Sequence, residues 1–277
     1  MKFWLIRKLG MKSFGGEATL ANLFTKKALA KMNLGKESRT YIFFRRIYRK
    51  TGKVSKLESS FSSFGEDRVL VKYLPELVGD YIDVGAGAPI KGSNTFFFYK
   101  RGWRGTTIDP IVAIIKLHKK KRPYDIQINA CVTDESDIET KFYQYLADDF
   151  STNSANRVTE LADKNIHPQK TYAVPVISLR ELKHFCNPLS PSFLNIDVEG
   201  GELGVLMSNN WDLCKPRVIA IEEWESPIYS KTEVRLYLES LNYRLTSRCF
   251  LTSIYVHIEY LQTLAESERQ SFGWFNP

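Results

Sequence analysis

The sequence predicts an α/β protein built on a parallel sheet, and three observations support this fold class. Short apolar segments alternate with helical segments in the order β-α-β-α-β between about residues 81 and 132. Two strand-like segments, 81–84 and 193–198, each run into a glycine turn. The length of 277 residues is enough for one large α/β domain with an extension. This order implies parallel strands joined by right-handed crossovers.

The other elements follow from periodicity, caps and breakers. Pro175 suggests that the strand around it lies at a sheet edge, and the polar segment 148–167 is predicted to be a substrate loop. Helices are predicted over residues 66–77, 94–100, 111–122, 178–185, 202–207 and 231–241. Strands are predicted over residues 81–84, 105–109, 125–132, 140–145, 172–177, 193–198, 217–221, 243–248 and 253–258.

The segment 81–87 (YIDVGAG) is the motif around which the rest is organised. Gly85 and Gly87 let the backbone turn sharply and approach a ligand, although an ordinary turn would use them too. Asp109 follows Gly85 by 24 positions at the end of the next strand, which suits a ribose ligand or, alternatively, a turn residue. Ile90 stands where a dinucleotide motif needs its third glycine, which favours a nucleoside without a pyrophosphate.

Acidic residues emerge from two later strand ends. Asp197 and Glu199 lie at the first, and Glu222 and Glu223 at the second. A charged side chain is costly to bury without a partner, so these acids are candidates for a site, although Asp197 could instead orient the following glycine turn.

Charge is unevenly distributed along the chain. Residues 1–57 hold 15 Lys or Arg against two acids, a net charge of +13, whereas the rest of the chain carries −5. We predict a basic helical extension (1–57) attached to a domain spanning 58–277. The extension suits an anionic membrane surface or an acidic glycan, and a helix packed on the main domain is the simpler alternative.

Composition excludes some classes of protein. The longest clean apolar run, 111–115, is far shorter than the roughly 18 residues of a membrane span. The four cysteines have no C-x-x-C spacing and no accompanying histidine cluster, so reduced thiols in a cytoplasmic protein are expected rather than a zinc site.

Several of these motifs together resemble the FkbM-type S-adenosylmethionine-dependent methyltransferases. The resemblance covers roughly residues 58–225 and leaves 1–57 outside. Gly87 departs from it, because a polar residue is more usual there. The residues that carry it are Phe64-Gly65-Glu66-Asp67, residues 81–86, Ser93-Asn94-Thr95, Gly102-Trp103-Arg104-Gly105, Ile108-Asp109-Pro110, and residues 196–200 with Glu202.

The resemblance implies a Rossmann-like class I methyltransferase fold, with a seven-stranded, mostly parallel sheet flanked by helices and an antiparallel last strand. It also implies that S-adenosylmethionine is the cofactor. The residues expected at the methionine end are Glu66, Asp83, Gly85, Ala86, Gly87 and Asn94, with Asp109 at the ribose and Asn129 and Ala130 bordering the adenine.

The resemblance further implies O-methylation, in which a base takes the proton of the attacking hydroxyl. Asp197 is the first candidate for that base and Glu199 the second. A metal-assisted version would place Mg²⁺ on Asp197 with Glu222 or Glu223, because carboxylate oxygens suit that ion.

The expected function is O-methylation of a sugar hydroxyl on a bacterial surface glycan or its precursor. A small secondary metabolite is the alternative acceptor. Two rivals from other classes are an NAD-dependent oxidoreductase and a non-catalytic nucleic-acid binder, although no nucleic acid is expected as a partner. We expect a cytoplasmic enzyme with a peripheral contact to the anionic inner face of the membrane through residues 1–57.

Overall fold

The computed structural model of the protein describes residues 60–146, 150–184 and 192–264. The basic extension predicted over residues 1–57 therefore lies outside the described residues and stays a prediction. The strands are β1 (Asp80–Val84), β2 (Arg104–Ile108), β3 (Ile126–Ile128), β4 (Cys131–Val132), β5 (Glu139–Gln144), β6 (Lys170–Ile177), β7 (Phe193–Ile196), β8 (Val218–Glu222), β9 (Tyr243–Cys249) and β10 (Thr252–His257). The helices are α1 (Glu66–Tyr73), α2 (Phe96–Lys100), α3 (Val112–Lys121), α4 (Ala155–Ala162), α5 (Glu202–Met207) and α6 (Glu233–Ser240), with a 3₁₀ helix at Leu179–His184.

The main sheet has seven strands in the order β3-β2-β1-β7-β8-β10-β9. The first five strands in this order, from β3 to β8, pair in parallel, whereas β10 runs antiparallel to both β8 and β9. The predicted seven-stranded, mostly parallel sheet with an antiparallel last strand is confirmed. None of the helices in the described part of the chain is long and apolar enough to cross a membrane.

Helices cover both faces of this sheet, so its central strands are apolar on both sides. Along β1, Ile82 and Val84 enter one core cluster with α5 and α6, whereas Tyr81 enters the opposite cluster with α1 and α2. All five residues of β8 are buried. Because side chains alternate between the two faces along a strand, the position of a residue at a strand end decides which face of the sheet its side chain lies on.

A second, three-stranded sheet forms between β3 and β7 in the chain, with the order β4-β6-β5. The strand predicted over 125–132 is therefore two strands, because β3 pairs with β2 while β4 pairs with β6. The segment 148–167, predicted to be a loop, contains the helix α4, whose side chain Leu161 packs with Tyr145 and Phe150. Ser154 caps α4 by accepting a hydrogen bond from the Arg157 amide. The sequence did not predict this helix because its periodic segment is short.

Two other expectations are corrected. Strand β6 lies in the middle of its sheet rather than at an edge. The amide of the adjacent Val176 donates to the Ile138 carbonyl, just before β5, so the nitrogen of Pro175 faces the opposite side of β6. Pro175 is tolerated there because β4 begins only at Cys131, which pairs with Val176. Helix α1 ends at Tyr73 rather than at residue 77, because Pro75 disfavours helical backbone at Leu74.

Candidate active site

The loop after β1 is fastened to the strands on either side of it. The amides of Gly85 and Ala86 both donate to the carbonyl oxygen of Ile108, at 2.9 and 3.1 Å. On the other side, a Cβ built on Gly85 would lie 1.9 Å from the carbonyl oxygen of Asp197. Gly85 also has φ +73°, which disfavours other residues. Only glycine therefore allows the loops after β1 and β7 to touch.

Asp109 shapes the next part of this loop. Its Oδ2 accepts the amide of Gly87 at 3.0 Å, and its Oδ1 accepts the amide of Ile111 at 2.8 Å. The side chain of Asn129 donates to the backbone carbonyl of Asp109 at 2.9 Å. Three residues predicted to bind the cofactor thus meet at the carboxyl edge of β1, β2 and β3. Asp109 is 4 % exposed, and its carboxylate holds the backbone of the loop in place.

His118 holds the other side of Gly87 and was not identified from the sequence. Its Nε2 lies 2.9 Å from the Gly87 carbonyl oxygen, and the residue is fully buried. Burial lowers the pKa of His118 to about 4, with the nearby Arg122 charge acting in the same direction. The ring is neutral at pH 7, and Nε2 carries its proton because a carbonyl can only accept. A histidine in the lysine-rich end of α3 gave no sequence signal of this contact.

Asp83 lies inside a buried polar network. Its Oδ1 accepts from Asn195 at 2.9 Å and its Oδ2 from the Thr95 hydroxyl at 2.5 Å. Burial raises the pKa of Asp83, and the Arg122 charge opposes this. Asn94 donates to Asn195 at 2.9 Å and is only half-buried. Of the two predicted ligands in this network, Asn94 is therefore the one that reaches the surface of the loop.

Arg122 is the cation at the base of this network, and it is fully buried. Its Nε pairs with Asp125 at 2.7 Å, and its two terminal nitrogens donate to Thr95 at 3.0 Å and to the Tyr81 hydroxyl at 2.7 Å. These bonds connect β1, the start of α2 and the end of α3 directly beneath the glycine loop. A buried charge with this many partners rigidifies its surroundings.

Glu66 begins α1 and is 2 % exposed. Its carboxylate accepts the amide of Phe64 at 2.7 Å. Burial raises the pKa of Glu66, while the hydrogen bonds that it accepts lower it. The neighbouring Asp67 carboxylate accepts hydrogen bonds from the Phe61 amide and the Ser60 hydroxyl. Both acids therefore bind the segment that precedes α1 and hold it against the start of the helix.

Three carboxylates meet at the ends of β7 and β8. One oxygen each of Asp197, Glu199 and Glu222 lies within 4.8 Å of the others, in a group that has the donors to hold a metal ion. Asp197 is exposed and the other two are buried. Glu199 has φ +62°, a left-handed conformation that returns the chain toward Asp197. We call these three residues the acid trio.

The acid trio combines members of two predicted sets. Asp197 and Glu199 were expected as bases, and Asp197 with Glu222 or Glu223 as metal ligands; Glu223 is absent from the trio. Glu223 lies elsewhere, because its carboxylate accepts from Thr232 at 2.6 Å and from the Tyr255 hydroxyl at 2.9 Å. Neighbours along a strand point to opposite faces, so only one of the two adjacent glutamates reaches the trio.

The segment 150–162 packs against the acid trio, and this contact was not specified by the sequence. The Thr152 hydroxyl donates to the backbone carbonyl of Glu199 at 2.9 Å. The Cβ of Arg157 lies 3.5 Å from where a Cβ on Gly200 would stand. The Arg157 guanidinium lies 4.9 Å from the ring centroid of Trp224, which follows β8. This segment and Trp224 thus border the acidic side of the cleft.

The sheet order, with the glycine loop at its carboxyl edge, is that of the class I methyltransferase fold. At Gly87 a Cβ would meet only the Gly85 carbonyl oxygen, at 3.9 Å, so no side chain packs over this point of the loop, where the cofactor would lie. The chain belongs to the methyltransferase FkbM domain family, whose model matches residues 83–245. That span includes the glycine loop and the acid trio.

Solved structures with some similarity are also methyltransferases. A TehB-like enzyme from Corynebacterium glutamicum is 11% identical, with 79% of this chain and 96% of that chain covered and a TM-score of 0.39. A methyltransferase from Geobacter sulfurreducens is 8% identical, with 84% and 94% covered and a TM-score of 0.39. An O-methyltransferase from Bacillus cereus in complex with SAH is 9% identical, with 83% and 96% covered and a TM-score of 0.32. No curated protein matches the chain.

Proposed function

We propose that this methyltransferase acts on a hydroxyl group, specifically a sugar hydroxyl of a bacterial surface glycan or its precursor. The observation that carries the proposal is the contact between the loops of Gly85 and Asp197. Because these backbones touch, an exposed carboxylate stands beside the loop that would hold the cofactor. That is the position a base for an attacking hydroxyl requires.

When bound, S-adenosylmethionine supplies an electrophilic methyl group on a sulfonium. Gly85, Gly87 and Asn94 would hold its methionine portion, and Asp109 its ribose. Asp197 accepts the proton of the acceptor hydroxyl as the new carbon–oxygen bond forms and the carbon–sulfur bond breaks. The segment 150–162 borders the acidic side of the cleft, where the Thr152 hydroxyl donates to the Glu199 carbonyl.

Glu199 and Glu222 each place one carboxylate oxygen within 4.8 Å of an oxygen of Asp197. A Mg²⁺ ion held by the three carboxylates would polarise the acceptor hydroxyl. Activity that is lost in EDTA and restored by Mg²⁺ would support this metal-assisted version, and full activity in EDTA would contradict it.

The sugar acceptor is proposed from the family and from the border of the cleft. Trp224 follows Glu222 by two positions and is half-buried, and one face of its ring is covered by the Arg157 guanidinium at 4.9 Å, so its other face is the apolar surface that a sugar could use. A pyranose ring needs both an apolar surface to pack on and acceptors for its hydroxyl protons. A secondary metabolite with a ring and hydroxyls is the alternative acceptor and requires the same base.

The cofactor is tested first, by isothermal titration of the full chain with S-adenosylmethionine and with NAD. Binding of S-adenosylmethionine alone, weakened in Asp109→Ala, is expected. Preference for NAD would contradict the proposal.

The base is tested by transfer of labelled methyl to glycan and small-molecule acceptors. Asp197→Asn should lower kcat by about 10²- to 10⁴-fold with little change in cofactor affinity. Asp212→Asn, which removes an exposed acid outside the trio, is the matched control. Equal loss in both variants would reject Asp197 as the base.

A further inference from the structure

Exposed apolar side chains gather at the edge of the sheet opposite the active site. Six large hydrophobic side chains are at least 70 % exposed among the described residues. Three of them, Leu77, Val78 and Tyr124, lie at the amino ends of β1 and β3. Exposed hydrophobic residues that cluster in this way commonly mark an interaction surface.

The side chains of Leu77 and Val78 point to solvent because Trp103 occupies the inner side of their turn. The indole nitrogen of Trp103 donates to the carbonyl of Glu76 at 3.3 Å. The ring of Trp103 is so close that a Cβ on Gly79 would lie 2.8 Å from it. The inner side of the turn is therefore already occupied, and the two apolar side chains have no place to fold back.

Arg104 connects this turn to Tyr124. Its amide donates to the Gly79 carbonyl at 3.2 Å, which places it beside Val78. Its guanidinium lies 4.9 Å from the ring centroid of Tyr124 and 5.2 Å from that of Tyr99. The apolar residues and the cation thus form one continuous surface.

This surface is strongly basic. Helices α1, α2 and α3 all end at the same edge, and each ends in lysine-bearing sequence. Three acids at this edge are engaged: Glu76 pairs with Arg217 at 2.6 Å, Asp80 accepts the Ser192 amide and Asp125 is buried with Arg122. Glu259 is exposed beside Tyr260, which contacts Glu76. The exposed basic residues are Lys72, Lys100, Arg104, Lys119, Lys120 and Lys121. Together with Leu77, Val78 and Tyr124 they are called the amino-edge face.

We propose that the amino-edge face docks on an anionic lipid surface. Positive charge accounts for attraction to any polyanion, but only a lipid interface also offers an apolar layer for Leu77 and Val78 to enter. Residues 1–57 carry a net charge of +13 and would be attracted to the same anionic surface.

Such docking has a consequence for the acceptor, which rests on the proposed function. The acid trio lies at the opposite ends of the strands, about 17 Å away for five residues of extended chain. The cleft would then open away from the bilayer. It would receive sugars distant from a lipid anchor rather than the sugar attached to it.

The proposal is tested by sedimentation of the full chain with phosphatidylcholine vesicles that contain or lack phosphatidylglycerol. Leu77→Ser combined with Val78→Ser should weaken binding to the anionic vesicles about tenfold. Arg104→Ser combined with Lys121→Ser should weaken it by about fivefold for each charge removed. Ile138→Ser combined with Tyr229→Ser, which removes equally exposed apolar groups elsewhere, should leave binding unchanged.

Unchanged binding of the Leu77/Val78 variant would overturn the proposal. A wild-type chain that does not bind anionic vesicles would also overturn it. A third contradicting outcome is that the charge variants bind heparin and vesicles equally weakly while the apolar variant binds both normally; this result would indicate that the face binds a soluble polyanion. Titration with S-adenosylmethionine accompanies each variant. Normal cofactor affinity with lost vesicle binding separates failure of docking from failure of the proposed function.

Discussion

His118 donates a hydrogen bond from Nε2 to the carbonyl oxygen of Gly87, across 2.9 Å. The amide of the same glycine donates to Asp109. Gly87 is thus held at both of its backbone polar groups, by side chains from two different elements. The glycine loop is therefore held in place at Gly87, and His118, which the proposed function does not place against the cofactor, is a positioning residue.

Replacement of His118 should affect cofactor binding more than turnover. His118→Leu removes the donor and should weaken S-adenosylmethionine affinity by about 5- to 30-fold, the equivalent of one lost buried hydrogen bond, with kcat nearly unchanged. His118→Gln keeps a donor at similar reach and should stay within about threefold of wild type. Titration and separate kcat and KM values provide the measurement. Equal effects of the two substitutions, or a fall in kcat alone, would contradict the positioning role.

His118 should also make stability depend on pH. Its pKa is about 4 when folded, whereas an unfolded histidine titrates near about 6.5. Between these values the unfolded chain binds more protons, so the free energy of unfolding falls as the pH drops from about 6.5 toward 4. Urea denaturation at pH 7 and pH 5 should show wild type losing about 2 kcal/mol more than His118→Gln. The same loss in both proteins would assign the pH dependence to other groups.

Two glycines of the same loop should respond differently to alanine. Gly85→Ala places a methyl group against the Asp197 carbonyl and should cost about 3 kcal/mol or more, because backbone must move. Gly87→Ala meets no atom nearer than 3.9 Å and should cost only about 1–2 kcal/mol for its positive φ. Thermal unfolding of the two variants measures the difference. Comparable melting temperatures would mean that the loops after β1 and β7 are not in contact.

Two adjacent glutamates should have separate roles. Glu222→Gln alters the acid trio and should lower kcat at least about tenfold while the fold is retained. Glu223→Gln weakens acceptors for Thr232 and Tyr255 and should lower stability by about 1–2 kcal/mol with little effect on kcat. Activity and thermal unfolding, measured on both proteins, separate these outcomes. The reverse pattern would show that Glu223 rather than Glu222 belongs to the site.

Sequence reasoning identified the candidate site because its main features are local. A glycine turn after an apolar strand, and an acid at the end of the next one, are visible along the chain, and the parallel sheet brings strand ends to one edge. The choice between Glu222 and Glu223 is not local, because it depends on which sheet face turns toward the cleft. The left-handed backbone of Glu199, which brings it back to Asp197, has no signal in residue type.

The contacts that were missed all join distant elements. His118 reaches Gly87 because α3 packs over the glycine loop, and Arg157 meets Trp224 because α4 folds onto the end of β8. Each of these side chains, considered in its own helix, is an ordinary basic residue. Their partners are set by the way the helices pack on the sheet. The periodicity of a single segment does not indicate which distant residues that segment will contact.

Between β3 and β7 the chain leaves the main sheet and forms the small sheet of β4, β6 and β5 together with α4. The strands that carry the glycine loop and Asp197 lie outside this segment, whereas the Thr152 hydroxyl within it donates to the Glu199 carbonyl at 2.9 Å. A movement of the small sheet would therefore shift the acid trio before it shifted the glycine loop.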